Sequence, residues 1–498
     1  MRKVSYLFTV LASAAGFMSC TDNTTTLVEE QQIASRAGAK ADVVLEWNNE
    51  QQVIDGFGVA QAGWADYLYA HRKRNEVMDV LFGKDGLRLN ILRGEVFPHY
   101  DAKTFNLNEN VDLSLDDPFF DVDYNACGDK ELESKARRNG QLWITKKAKQ
   151  EYGVDKLIFS TWTPPAYMKT NGNVSKGSLK RRYYQAYANY LSDFCSAFKK
   201  AGLPVYAISP ANEPEYAAGW NSCLWLPASA TLGKFVVNNL GPKLKETNPD
   251  TKIIFGENAQ WSAILGVVMG SQNYVRDILK WNSRIANYPV IAAGHGYIDP
   301  VTKKDPAITP FAQAEAKGIP VWLTEISDPF EKYDASMTSG LKWAAKFHRY
   351  LCEANTSAIV WWAGALPDGG TTEGLINIKK DRVNYEVTKR CEVLGNFSRY
   401  IPAGSKRIAA QYNWKKGYMA SGYKYGDKYT AVVINPSDQE LTLTVALDRA
   451  KVAGALQGYV TDDSRKWEAV EAVQPTGNGY VLTLPARSVV SYVGQIAK

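Results

Sequence analysis

Two glutamates stand in settings that packing explains poorly. Glu213 lies in Ile208-Ser209-Pro210-Ala211-Asn212-Glu213-Pro214, directly after the β-branched run Val205–Ile208. Glu325 lies in Pro320-Val321-Trp322-Leu323-Thr324-Glu325-Ile326-Ser327, at the end of a second run. Two carboxyl groups at strand ends have the composition needed to split a glycosidic bond. One protonates the departing oxygen, and the other attacks the anomeric carbon or activates a water. Glu213 is the expected proton donor and Glu325 its partner carboxylate, acting as nucleophile or as base according to the gap between them. Glu213 must then begin the cycle protonated, which negative charge on a neighbouring Glu325 favours. Asn212 can donate to a sugar 2-hydroxyl, a bond that strengthens in an oxocarbenium-like transition state. The competing reading, a helix N-cap with Glu213 favouring the first-turn dipole, leaves Glu325 without a purpose.

Such a pair needs a scaffold that brings distant positions together. Between about Val53 and Trp362 the chain alternates short apolar runs with polar loops and stretches of helical periodicity, the pattern of βα units in a parallel sheet. Eight runs are found: Ile54–Ala60, Leu87–Leu92, Lys156–Thr161, Val205–Ile208, Lys252–Phe255, Val290–Ala293, Val321–Thr324 and Ala358–Trp362. Eight units predict an α/β fold of the (β/α)8 TIM-barrel type, spanning 54–398, with functional groups on loops at the C-terminal strand ends. Glu213 and Glu325 then close strands four and seven, on opposite sides of one barrel mouth. Gly56-Phe57-Gly58 does not continue into a dinucleotide-binding fingerprint.

After Tyr400 the texture changes to alternating runs such as Tyr429–Ile434, Leu441–Leu447 and Tyr480–Leu484, separated by turn-formers. Residues 399–498 are therefore read as a C-terminal antiparallel β-sandwich, and the alternating segment 42–53 as an N-terminal strand joining it. An acidic, irregular insertion, roughly 100–138, is expected as a long loop near the open face. The apolar stretch Val4–Met18 follows Arg2 and Lys3 and ends at Ser19-Cys20, which reads as an export signal over 1–20. The same end resembles a bacterial lipoprotein box, with Cys20 as the lipidated residue and 21–41 as a flexible tether. The expected location is that of an exported bacterial lipoprotein, facing the periplasm or at the cell surface, touching a membrane only through this anchor.

Composition removes other classes. The formal charge of +6 includes Arg2 and Lys3 of the leader and is too small to argue for nucleic acid as a partner. With four histidines, no HExxH and no paired-cysteine spacing among Cys20, Cys127, Cys195, Cys223, Cys352 and Cys391, neither a metal nor another cofactor is expected. The scattered cysteines read as apolar fillers more than as a disulfide framework, and the chain is expected to act as a monomer. The 14 Trp and 28 Tyr suit a polysaccharide or oligosaccharide partner, because flat rings stack on sugar faces.

Trp162 precedes a proline pair that stiffens the loop after strand three, so its ring is a candidate sugar platform. Arg93, just past strand two, would sit near Glu325 and favour its ionised form. His295 reads as a hydrogen-bonded wall residue. Trp361 and Trp362 both stand as candidates at strand eight, although neighbouring strand residues point to opposite faces.

These motifs, together with Gly56-Phe57-Gly58, the segment Trp162–Gly172, His295-Gly296-Tyr297 and Leu323-Thr324-Glu325, resemble glycoside hydrolase family 30 from about residue 43 onward. The resemblance implies a retaining double displacement, with the acid/base on strand four, the nucleophile on strand seven, and Tyr297 hydrogen-bonded to that nucleophile. It implies a β-linked plant polysaccharide as substrate. The segments 54–62 and 141–154, with Met168-Lys169-Thr170, look most like the xylan-cutting branches. Many glucuronoxylanases of the family carry an arginine soon after the strand-eight tryptophan, and here Ala363-Gly364-Ala365-Leu366-Pro367-Asp368 follows. Uronate recognition would then need Lys379, Lys380 or Arg382. A β-1,6-galactanase or β-1,6-glucanase, and a non-catalytic glycan-binding lipoprotein, are the alternatives. Endo action is expected of an enzyme meeting polymers outside the cell.

Overall fold

The structure is a computed structural model and describes residues 41–61, 65–100, 106–120, 130–263, 269–299, 302–367 and 369–497. The leader, Cys20, nearly all of the segment 21–41, and Cys127 lie outside the described residues.

Eight parallel strands close into a barrel in sequence order: β2 (Gly56–Ala60), β3 (Ile91–Glu95), β4 (Lys156–Ser160), β5 (Val205–Ser209), β6 (Lys252–Gly256), β7 (Val290–His295), β8 (Val321–Glu325) and β9 (Ala358–Trp362). Pairing of Gly56 with Ala358 and of Ala60 with Trp362 closes the ring. Strand alternation sends every second residue inward. Ile91, Ile158, Ile254, Ile291, Trp322 and Val360 fill the barrel, while Leu92, Leu157, Ile253, Leu323 and Trp361 face the helices outside. Gly56, at φ +141°, lets Asn90 approach so closely that a Cβ there would meet its side-chain oxygen. That oxygen accepts from the Phe57 amide at 3.0 Å, so the Gly56-Phe57-Gly58 motif serves strand pairing.

The second strand differs from its sequence reading. Leu87 and Leu89 are buried in the core ahead of β3, so their apolarity reflects packing rather than strand structure. The strand itself runs on to Glu95, and Arg93 lies inside it. The irregular insertion is also shorter than its composition suggests, since a helix begins at Lys130 and continues to Gln150.

The side domain is one curled nine-stranded sheet. It comprises β1 (Val43–Val53), β13 (Lys406–Tyr412), β14 (Met419–Tyr425), β15 (Lys428–Asn435), β16 (Leu441–Asp448), β17 (Val452–Thr461), β18 (Glu468–Ala469), β19 (Gly479–Leu484) and β20 (Ser488–Ile496), in the order β18-β17-β20-β15-β14-β13-β1-β16-β19. The N-terminal strand β1 pairs antiparallel with β13 and parallel with β16, which stitches the start of the chain into its end. Leu45, Ile408, Val433, Leu443 and Leu482 form a core of their own. Three short strands after the barrel, β10 (Ala365–Pro367), β11 (Ile376–Ile378) and β12 (Tyr385–Val387), make a small separate sheet. Among the described residues no helix is long and apolar enough to cross a membrane, and Cys195, Cys223, Cys352 and Cys391 are unpaired thiols.

Candidate active site

Beyond the end of β5 the chain turns sharply through Asn212 and Glu213. The Asn212 amide donates to the Thr161 carbonyl at 2.8 Å and the Glu213 amide to the Glu257 carbonyl at 3.0 Å. No helix starts there, so the N-cap reading fails. Glu213 adopts φ +42°, a left-handed conformation that costs a non-glycine residue energy and that recurs at functional sites. The turn tips its carboxyl across the mouth toward Glu325, the last residue of β8. A carboxylate oxygen of Glu213, one of Glu325 and a ring nitrogen of His295 all lie within 4.8 Å of one another. Inverting pairs stand about 6.5–9.5 Å apart to hold a water and retaining pairs about 5–5.5 Å, so the gap has the retaining scale.

The base of the site is a buried lattice of charge. Arg93 donates one guanidinium nitrogen to Glu325, and the other to Asn212 Oδ1 at 2.7 Å and Glu257 Oε1 at 3.2 Å. Arginine has no acceptor, so Asn212 must turn its oxygen inward and present its amide hydrogens to the cleft. Tyr297 donates to Glu325 Oε2 at 2.8 Å. Burial, reinforced by the charge of Glu325, pushes that phenol well above its usual range, so it stays a neutral donor.

His295 is buried. Its Nδ1 lies 3.4 Å from Glu213 Oε1 and 3.5 Å from Glu325 Oε2, and its Nε2 lies 3.9 Å from Glu257 Oε1. Burial alone would discharge the ring, but Glu325, Glu213 and Glu257 together raise it to about 10. His295 therefore holds the hydrogen-bonded place expected of it, and the three surrounding carboxylates favour its imidazolium form. Glu213, His295 and Glu325 are also the one carboxylate and imidazole group among the described residues whose spacing could hold a metal ion. A protonated ring and a carboxylate already paired to Arg93 suit charge compensation rather than a cation.

Glu257 was not evident from sequence. It is fully buried, sits at φ +56° just past β6, and accepts from Ser160 Oγ at 2.7 Å. Burial opposes its charge, but Arg93 and His295 hold it well below the usual carboxylate range. The available signal was its position, a glutamate following a strand like the other two.

Above this base opens a cleft of about 1150 Å³ lined by Trp162, Asn212, Glu213, Tyr297, Glu325 and Trp362, among others. Trp162 and Trp362 stand 5.8 Å apart as tilted rings, and the Arg93 guanidinium lies 5.0 Å from the Trp162 ring. Trp361 is not part of the site. Strand alternation turns it outward, where it is fully buried against Trp343 and donates to the Glu373 carbonyl at 2.6 Å. Lys379, Lys380 and Arg382 do not line the cleft either. Lys379 pairs with Glu386 at 3.0 Å, and Arg382 donates to the Phe120 carbonyl at 3.0 Å. The cleft instead contains Glu95, Glu215, Tyr216 and Trp220, none of them singled out by the motifs. Burial raises the Glu95 carboxyl to about 7 and leaves its Oε1 without a hydrogen-bond partner.

Comparison with known proteins agrees with this arrangement. The sequence profile of O-Glycosyl hydrolase family 30 matches residues 40–369. The chain is 25% identical to the glucuronoxylanase XynC of Bacillus subtilis over 476 residues, covering 92% of this chain and 93% of that protein. It is 20% identical to an endo-1,6-beta-D-glucanase of Neurospora crassa, covering 74% and 75%. The catalytic domain of the family 30 xylanase C from Talaromyces cellulolyticus shares the fold at a TM-score of 0.72 and 22% identity, over 92% of this chain and all of that one. Because the profile match runs through the whole eight-stranded barrel that carries Glu213 and Glu325, the chain belongs to O-glycosyl hydrolase family 30.

Proposed function

We propose that the protein is a retaining, endo-acting β-glycan hydrolase with xylan as its substrate, Glu213 as general acid/base and Glu325 as nucleophile. The observation that carries this reading is the spacing of the two carboxylates, within 4.8 Å, at the floor of an open, aromatic-walled cleft. Glu325 arrives oriented for attack, because Arg93 and Tyr297 each donate to one of its oxygens. It attacks the anomeric carbon while Glu213 gives its proton to the glycosidic oxygen. A covalent glycosyl-enzyme forms, and the leaving sugar departs. Glu213, now a carboxylate, takes a proton from water, which attacks the same carbon and frees Glu325. The Asn212 amide, aimed by Arg93, is placed to donate to the 2-hydroxyl as positive charge builds on the ring.

Xylan is favoured by the 25% identity to a glucuronoxylanase over nearly the full length of both chains. A β-1,6-glucan or β-1,6-galactan is the second reading, supported by the glucanase relative and by the lack of an arginine directly after Trp362. Digestion of glucuronoxylan, arabinoxylan, β-1,6-galactan and β-1,6-glucan side by side, with products identified by mass, separates them. Xylo-oligosaccharides of several lengths are expected. Monosaccharide alone would refute endo action, and no release from any glycan would favour a binding role. The leader supports an exported lipoprotein anchored through Cys20. Cys20→Ser should abolish incorporation of labelled palmitate, and undiminished labelling would refute the anchor.

A further inference from the structure

Lys169, in the loop that follows Trp162, is fully buried. Its Nζ donates to Thr163 Oγ1 at 2.7 Å, to the Val174 carbonyl at 2.9 Å and to the Ser222 carbonyl. All three N–H donors of the ammonium are thereby used. Among the described residues no carboxylate pairs with it, and the titratable group facing it is the Cys223 thiol. Burial pushes that thiol up to about 12 and keeps it neutral. A buried charge with no opposite charge beside it is costly, and an apolar side chain would fill the same space without that cost. What an apolar chain cannot do is hold three oxygens from separate parts of the loops at one point.

Those oxygens belong to two walls of the site. Thr163 directly follows Trp162 and Ser222 directly follows Asn221, and both Trp162 and Asn221 line the cleft. The outer parts of the two loops are also joined independently of Lys169. The Ser222 amide donates to the Val174 carbonyl at 3.1 Å, the Leu224 amide to the Gly177 carbonyl at 2.8 Å, and the Lys176 amide to Ser222 Oγ at 2.8 Å. The second loop is closed onto the catalytic turn by the Trp225 amide, which donates to the Pro214 carbonyl at 2.8 Å. Lys169 adds the link from this joined pair inward to Thr163, and so to Trp162.

We propose that Lys169 is a positioning residue, whose ammonium fixes Trp162, through Thr163, at a set distance from the turn that carries Glu213. The inference rests on the reading of Trp162 as a sugar platform and of Glu213 as the acid. A sugar held by one and protonated by the other tolerates little misplacement, since a shift of about 1 Å can cost about a hundredfold in rate. Burial lowers the Lys169 ammonium to about 8, so it is charged at neutral pH and gives up a proton above that range. The amine left behind has two donors for three oxygens and turns a lone pair toward one of them. The clamp therefore loosens as pH rises.

The test uses the full chain, the β-glycan that the wild type cleaves, and a dinitrophenyl glycoside of the same sugar, whose departure needs no acid. Lys169→Met should lower kcat/KM on both substrates about tenfold or more at neutral pH. Thr163→Val, which removes only the Trp162 end of the clamp, should lower both about threefold or more, and it decides the matter if Lys169→Met does not fold. On the aryl glycoside, wild-type kcat/KM should fall as pH rises through about 8, while Lys169→Met should stay at the wild type's high-pH level throughout. A role confined to folding would lower the melting temperature and leave the pH profile in place. An alkaline fall of unchanged midpoint in Lys169→Met, or wild-type kcat/KM in Thr163→Val, would overturn the proposal. Failure of the underlying assignment reads differently. Glu213→Gln should lose polymer cleavage but keep dinitrophenolate release, with the same alkaline fall. Retained polymer cleavage in Glu213→Gln would refute the acid role whatever the Lys169 and Thr163 variants do.

Discussion

Replacing Glu257 by Gln keeps the shape of the lattice and removes one charge from it. In the wild type, Glu257 Oε1 lies 3.9 Å from His295 Nε2 and 3.2 Å from Arg93 Nη2, with Glu257 and His295 fully buried. Two unit charges about 4 Å apart at an effective dielectric of about 20 interact by about 4 kcal/mol, about a thousandfold in proton affinity. Loss of that anion should bring His295 from about 10 down toward about 7. The sign for stability follows from linkage. His295 binds its proton more tightly folded than unfolded, so its contribution is complete below 6.5 and is lost as pH rises toward 10, an effect of about 5 kcal/mol. We expect wild-type thermal stability to decline between pH 6.5 and 10. The variant should start lower, because a buried ion pair has been broken at a cost of about 3–5 kcal/mol, and should decline less over that interval. With four histidines in the chain, imidazole NMR resonances can be followed directly. A His295 signal that titrates near 6.5 in the wild type, or that stays protonated beyond pH 9 in Glu257→Gln, would refute the charge lattice.

Three further outcomes follow from the same geometry. Tyr297→Phe removes a donor to the ionised Glu325 and should cost about 1.5–3 kcal/mol, or about 10- to 100-fold in kcat/KM, with the melting temperature little changed; a loss under about threefold would contradict the orienting role. Trp361→Ala should destabilise the fold by about 3–5 kcal/mol without raising KM, whereas Trp362→Ala should raise KM with little effect on melting, and the reverse pattern would contradict the observed alternation. Glu95→Gln replaces a carboxyl that burial raises from 4.5 to about 7, a group whose folded form binds its proton more tightly, so wild-type stability falls as pH rises through that range; relative to wild type the variant should gain about 3 kcal/mol at pH 8 and nothing at pH 4.5, and a gain equal at both pH values would contradict it.

The eight-stranded barrel and the two carboxylates were legible because each strand lies in or beside a short apolar run and each glutamate stands at or just beyond the end of one. Glu257 follows the run Lys252–Phe255 in the same manner, but its importance comes from burial between Arg93 and His295, which no local pattern encodes. Glu95 was hidden by Leu87 and Leu89, whose apolarity drew the second strand toward its N-terminal side. The choice between Trp361 and Trp362 depends on which inward parity β9 takes, and that is set by pairing with β2 and β8 rather than by the dipeptide. The N-terminal strand was readable from its alternation, whereas its parallel pairing with β16 is a tertiary choice. Tyr216 and Trp220 carry no motif, and their meaning appears only when the loop is seen to line the cleft.

The proposed double displacement is tested most directly by trapping. The protein is incubated with a 2-deoxy-2-fluoro glycoside of its substrate sugar bearing a dinitrophenyl leaving group, and the peptides are then mapped by mass spectrometry. We expect one sugar per chain, esterified to Glu325 and absent from Glu325→Gln. An adduct on any other residue, or turnover of unmodified substrate to a product of inverted anomeric configuration, would contradict the assignment.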